Sequence, residues 1–167
     1  NTNVNESKIT VSKVNSEGKA MSGAEISISP KTSIDMSVVK VDGASNSDSD
    51  RVSYISALKP IILTALPDGD YTLTESKTGY DTVTFDFTIK NGFIENNVSD
   101  DVLGTYETTS NTITITNKSV ISVSKKAIAG SEEVAGAELT ITNSEGKSLT
   151  EVTRKDGTST GITYGSD

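Results

Sequence analysis

Apolar residues recur at every second position through most of the chain. The segments "KITVSKV", "AEISIS", "DYTLTES", "TVTFDFTIK", "NTITITNK", "VISVSKK" and "AELTIT" each alternate β-branched or aromatic residues with polar ones, the period of half-buried antiparallel strands. No helical stripe competes with them. Turn signals separate the runs at Ser16-Glu17-Gly18, Pro67-Asp68-Gly69, Thr78-Gly79-Tyr80, Asn91-Gly92 and Ser144-Glu145-Gly146, where glycine or an Asx residue supplies the backbone freedom of a tight turn. Several short strands at this spacing predict an all-β sandwich.

The chain also repeats itself. "ITVSKVNSEGKAMSGAEISI" from Ile9 is echoed by "ISVSKKAIAGSEEVAGAELTI" from Ile121, with Lys13 facing Lys125 and Gly23-Ala24-Glu25 facing Gly136-Ala137-Glu138. A period of this size marks a second copy of one structural unit. Residues 1–6 are then an N-terminal tail, 7–118 a complete unit, and 119–167 the N-terminal half of a second, lacking any counterpart of "LPDGDYTLTE" or "ITITNK". Half a sandwich cannot cover its own apolar faces. The second copy therefore calls for completion by further strands, from its own continuation or from a neighbouring molecule.

Composition narrows the chemistry. The 167 residues include no His, no Cys and no Trp, which excludes Ser-His-Asp and Cys-His nucleophile systems, thiolate or imidazole zinc sites and thioredoxin-type redox motifs. Carboxylates, lysines, tyrosines and hydroxyls remain. A net charge of −8 opposes nucleic-acid binding, because no Lys/Arg cluster is available to displace phosphate counterions. No apolar run approaches the roughly 18 residues of a membrane span, so this fragment is expected not to insert in a membrane. Hydrophobic residues at 33% and aromatics at 5% suit thin β-layers better than a deep enzyme pocket.

Three polar residues stand on apolar faces. Because strand side chains alternate, Lys13 shares a face with Ile9 and Val11, Glu75 with Tyr71 and Leu73, and Asn117 with Ile113 and Ile115. Each has an ordinary alternative as the last residue of its strand, turned to solvent, with Lys13 carrying its ammonium out over an apolar stem. Together, an amine, a carboxylic acid and a carboxamide are the reactants for a Lys–Asn isopeptide bond formed with loss of ammonia. Burial would disfavour the charged forms of both Lys13 and Glu75, leaving a neutral nucleophile and a protonated acid able to polarise the amide and shuttle protons. No metal or cofactor is required. Lys8 and Lys19 lie nearby, but one falls before the strand and the other in the turn.

These segments resemble the Cna B-type (SpaA-like) repeats of Gram-positive surface adhesins and pilins. The resemblance rests on "ITVSKVNSEGKAMSGAEISI", on "LPDGDYTLTESKTGY", which is similar to the family's Leu-Pro-x-Gly-x-Tyr-x-Leu-x-Glu segment ending in Gly-Tyr, and on the closing "ITITNK". It implies an immunoglobulin-like or transthyretin-like sandwich used as a stalk module at the cell surface or cell wall, with neighbouring repeats of the parent protein as partners. It further implies Lys13 as the amine, Asn117 as the amide and Glu75 as the catalytic acid of a single-turnover self-crosslink, not an enzyme. Lys125 matches the amine of the second repeat, with Lys126 as the register-shifted alternative. The unit departs from the family in lacking Pro before Gly79-Tyr80 and in the length of the stretch from Pro30 to Pro60.

Further segments carry acidic or loop signals. Asn46 to Asp50, "NSDSD", places oxygen ligands at alternate positions as calcium loops do, but lacks the Gly and the later bidentate Glu of an EF-hand; a solvated acidic loop is the default. Asp100-Asp101 and Glu132-Glu133 read as solvated loops as well. The alternative function is a ligand-binding adhesin module, in which the long loop 31–59 contacts a host protein or glycan, since loops on a rigid sandwich often carry recognition. Tyr54 is that loop's only aromatic ring.

Overall fold

The computed structural model describes residues 7–118 and, further along, the short strands at 152–153 and 159–160. The chain gathers into two compact units, Asn1–Ser119 and Val120–Asp167. In the second unit Val152–Thr153 pairs antiparallel with Ser159–Thr160. The predicted strands "VISVSKK" and "AELTIT", and with them Lys125 and Lys126, lie outside the described residues.

The first unit is an all-β sandwich of two sheets. In chain order its strands are β1 (Lys8–Asn15), β2 (Glu25–Pro30), β3 (Lys40–Val41), β4 (Ala44–Ser45), β5 (Val52–Ile55), β6 (Ile61–Thr64), β7 (Gly69–Ser76), β8 (Val83–Lys90), β9 (Phe93–Ile94), β10 (Tyr106–Thr109) and β11 (Thr112–Asn117). One sheet runs β10-β11-β1-β6-β3-β4 and the other β5-β2-β7-β8-β9. The alternation read from the sequence is the alternation observed: β8 buries Val83, Phe85, Phe87 and Ile89 and exposes Thr84, Asp86 and Lys90, while β1 buries Ile9 and Val11, and β11 buries Ile113 and Ile115. These inward residues form one hydrophobic core between the sheets, the driving force for stacking them.

The alternating pattern predicts antiparallel strands, but β1 and β11 run parallel, in register from Thr10 opposite Thr112 to Asn15 opposite Asn117. A period of two fixes which face a side chain takes and says nothing about strand direction, so the pattern is the same for either pairing. Residues 31–59, expected as one long loop, carry short elements of the sandwich between exposed segments. They contribute β3, β4 and β5 and a 3₁₀ turn at Met36–Val38, and they bury Met36, Val39 and Val52 completely. These three buried apolar side chains anchor the stretch to the core, while Val38, Ile55 and Leu58 stay exposed on its surface.

Local chemistry sets the turns. Asn91 and Gly92 both have positive φ, as do Asp42 and Gly43 between β3 and β4, and Ser110 and Asn111 between β10 and β11, the requirement of the tight primed hairpin turns. In "LPDGDY" the Tyr71 hydroxyl donates to the Pro67 carbonyl at 2.7 Å, and the Asp68 carboxylate accepts from the Asn91 and Gly92 amides. Gly69 has φ +156°, a conformation side chains rarely adopt, and a Cβ there would also press on Ile34 Cδ1 at 2.6 Å.

Candidate functional site

Lys13, Glu75 and Asn117 meet at one end of the core. All three are buried, at 5%, 0% and 2% relative exposure, so the alternative that each is a strand end turned to solvent does not hold. The parallel pairing places Lys13 opposite Ile115, and Asn117, two residues further along β11, shares its face. Glu75 comes from the facing sheet, where Ile26 of β2 and Val83 of β8 flank it in register. Amine and amide are thus carried on adjacent strands of one sheet, with the acid projecting from the other.

The hydrogen bonds define the arrangement further. Lys13 Nζ donates to the Val14 carbonyl at 2.8 Å and to the Ile115 carbonyl at 3.4 Å. Two acceptors match the two N–H bonds of a neutral amine and leave its lone pair free, whereas an ammonium would carry a third donor. Asn117 Nδ2 donates to Glu75 Oε1 at 3.1 Å and lies 3.7 Å from Met21 Sδ. Glu75 Oε2 and Asn117 Oδ1 are both buried without a hydrogen-bond partner. Were Glu75 ionised, two buried acceptors would lack a donor, a costly state.

Electrostatics points the same way. Burial lowers the Lys13 pKa and raises that of Glu75; their mutual attraction and the Asn117 contact oppose these shifts without reversing them. Lys77, whose ammonium donates to the Ser22 carbonyl at 2.9 Å, further lowers Lys13 and pulls Glu75 down. Desolvation is the leading cause for both groups, so the neutral pair is favoured over what open water would give.

The neighbouring lysines are placed differently. Lys8 opens β1 with an exposed side chain, and Lys19 is exposed and paired with Glu17 at 2.8 Å. In the acidic loop the Asn46 amide donates to the carbonyls of Met36, Asp48 and Arg51, an internal brace for the turn. Among the described residues no three His, Cys, Asp or Glu side chains are grouped to hold a metal ion, and no helix is long and apolar enough to cross a membrane. Sequence reasoning did not single out Met21 or Ser56, which border the site. "KAMSG" carries no periodic signal, and only the folded chain brings it against Asn117.

The unit is an all-β sandwich. No protein family and no characterised protein sequence matches the chain. Among solved structures, a C-terminal fragment of the pilus adhesin SpaC from Lactobacillus rhamnosus GG is similar over 71% of this chain and 47% of its own, with 15% identity and a TM-score of 0.45. The pilus adhesin RrgA from Streptococcus pneumoniae is similar over 70% of this chain and 15% of its own, with 24% identity and a TM-score of 0.49. BcpA, the major pilin subunit of Bacillus cereus, is similar over 67% and 28%, with 21% identity and a TM-score of 0.39. The chain spans less than half the length of each of these structures.

Proposed function

We propose that the 7–118 unit is a structural stalk module of a Gram-positive surface adhesin or pilus-like protein, locked by a self-formed isopeptide bond between Lys13 and Asn117 with Glu75 as the acid. The observation that carries this reading is the pair of buried acceptors, Glu75 Oε2 and Asn117 Oδ1, that no donor satisfies. A proton on Glu75 supplies that donor. With Nδ2 already donating to Oε1, a protonated Oε2 turned toward Oδ1 makes an acid–amide pair that withdraws charge from the carboxamide carbon. The setting at the cell surface comes from the sequence resemblance.

The reaction balances without an external reagent. The neutral Lys13 amine attacks Cγ of Asn117, the Nζ–Cγ bond forms, and the Cγ–Nδ2 bond breaks. Glu75 gives its proton to the departing Nδ2 and recovers one from Nζ, so ammonia leaves and the acid returns to its starting state. Holding the reactants on packed strands supplies proximity of up to roughly 7–11 kcal/mol toward the barrier. The event is a single turnover, not enzymatic catalysis.

The mechanical consequence follows from the parallel strands. Chain enters at the start of β1 and leaves at the end of β11, so tension loads the pair lengthwise. A bond from Lys13 to Asn117 would carry that load past every strand from β2 to β10. The alternative reading, a ligand-binding module on the 31–59 stretch, keeps the exposed Val38, Ile55 and Leu58 as its contact residues, while Met36, Val39 and Val52 fix that stretch to the sandwich. Residues 119–167 are read as part of a second repeat, with Lys125 as its amine.

Pulling the chain from its two ends in a single-molecule force experiment tests the module as a stalk. The locked unit extends only by residues outside the 13–117 loop, while Lys13→Met releases the full length of the unit at far lower force. Full-length extension of the natural sequence would refute the reading.

A further inference from the structure

The polar trio is covered from outside by a short strap. After β1 the chain doubles back, with Asn15 N–H donating to Lys19 O at 2.9 Å and Met21 N–H to Lys13 O at 2.9 Å, so Met21 is fixed directly beside the proposed nucleophile's own backbone. From the other side Ser56, itself buried at 5% exposure, donates its hydroxyl to Met21 O at 2.9 Å and accepts from Ala24 N–H at 3.0 Å. Its backbone also accepts from Gly23 N–H and donates to Ala24 O, both at 2.8 Å. Lys77 ties Ser22 O at 2.9 Å. Gly23, at φ +78°, permits the turn, and a Cβ there would press on the Lys77 ammonium at 3.1 Å. Four consecutive residues are thus held by β1, by Ser56 and by Lys77.

What this strap presents inward is the Met21 sulfur, 3.7 Å from Asn117 Nδ2. The two hydrogens of that nitrogen then point at two acceptors, Glu75 Oε1 and Met21 Sδ, which fixes the plane of the carboxamide. We propose that the Met21–Ala24 strap is the lid of the Lys13–Asn117 site, with Met21 as a positioning residue that holds the leaving nitrogen and keeps water from Glu75. This rests on the self-locking reading above and assigns it a further part. Charged groups acting on Glu75 are Lys13 from β1 and Lys77, the residue after the end of β7; β2 and β8 flank it with Ile26 and Val83. With so few charges nearby, water access is the variable that the lid controls.

The full chain made by cell-free translation, sampled over time by intact mass and across pH, tests the lid. Loss of ammonia by the natural sequence should depend on pH through Lys13, which must be neutral, and Glu75, which must be protonated, so the window is bounded by Lys13 protonation on the acid side and Glu75 ionisation on the alkaline side. Met21→Leu keeps the apolar cover and removes the sulfur, so it slows the reaction by roughly two- to fivefold, the size of a weak contact, without moving the window. Met21→Ala admits water, slows the reaction roughly tenfold or more by loosening the amide, and narrows the window from both sides as the two groups return toward their ordinary pKa values. An unchanged rate in Met21→Leu overturns the positioning role, and an unchanged window in Met21→Ala overturns the lid. A natural sequence that never loses ammonia overturns the locking reading itself, an outcome distinct from either.

Discussion

Two sets of lysine, carboxylate and hydrogen-bonding neighbours occupy opposite sides of the five-stranded sheet. On the outer face Lys31 pairs with Asp86, whose other oxygen accepts from Thr72 at 2.6 Å, and Asp70 accepts from Thr88 at 2.6 Å. At the inner face Glu75, next but two along the same strand from Thr72, meets Lys13 and Asn117 in the core. On the outer face hydrogen bonding to Lys31 and Thr72 holds Asp86 below the usual carboxylate range, so it stays ionised and inert. Inside, desolvation pushes Glu75 up and Lys13 down. The same residue types become salt bridge or reactants according to which side of a strand they take.

Lys13→Met should sharpen the contrast most. It keeps the apolar stem, removes the amine and opens a covalent loop of about 100 residues, which costs about 4–5 kcal/mol by analogy with a disulfide of that span. Denaturant unfolding should show a large fall in midpoint, and a proteolysis time course a matching loss of resistance.

Next in size is a pH effect within that unlocked variant. The folded-state pKa of Glu75 lies above its unfolded value, and loss of Lys13 removes a charge that held it down. The folded form then binds more protons than the unfolded one between those two pKa values, so stability falls as pH rises through that interval, by about 1.4 kcal/mol for each unit of separation. Adding Glu75→Gln should abolish this slope. A slope that persists in the double variant would place its origin elsewhere.

Smaller still is Tyr71→Phe, which removes the hydrogen bond to Pro67 O while leaving the ring stacked on Phe87. A loss of about 1 kcal/mol is expected in the same unfolding assay. Smallest is Lys31→Ala on the outer face, an exposed pair screened by salt. Its unfolding midpoint should barely move, and what shift there is should vanish at high ionic strength.

Much of this was legible before folding. Alternation in "KITVSKV", "DYTLTES" and "ITITNK" placed Lys13, Glu75 and Asn117 on inward faces, because strand geometry leaves a side chain only two directions. The hairpin turn at Asn91-Gly92 was equally plain. What alternation does not encode is direction and partnership: it gave no sign that β1 and β11 lie parallel, nor that Lys13 stands opposite Ile115. The middle strands were hidden for another reason. β3 and β4 span two residues each, too short to show a period, and Met36 and Val39 are buried by contacts remote in sequence. Met21 was invisible for the same reason, since its role depends on a turn that folds back over the site.

The central claim is a covalent bond, and its most direct test is the intact mass of the denatured chain beside that of Glu75→Ala. The account predicts a natural sequence lighter than its composition by one ammonia and a variant at full mass. Full mass in both would contradict it.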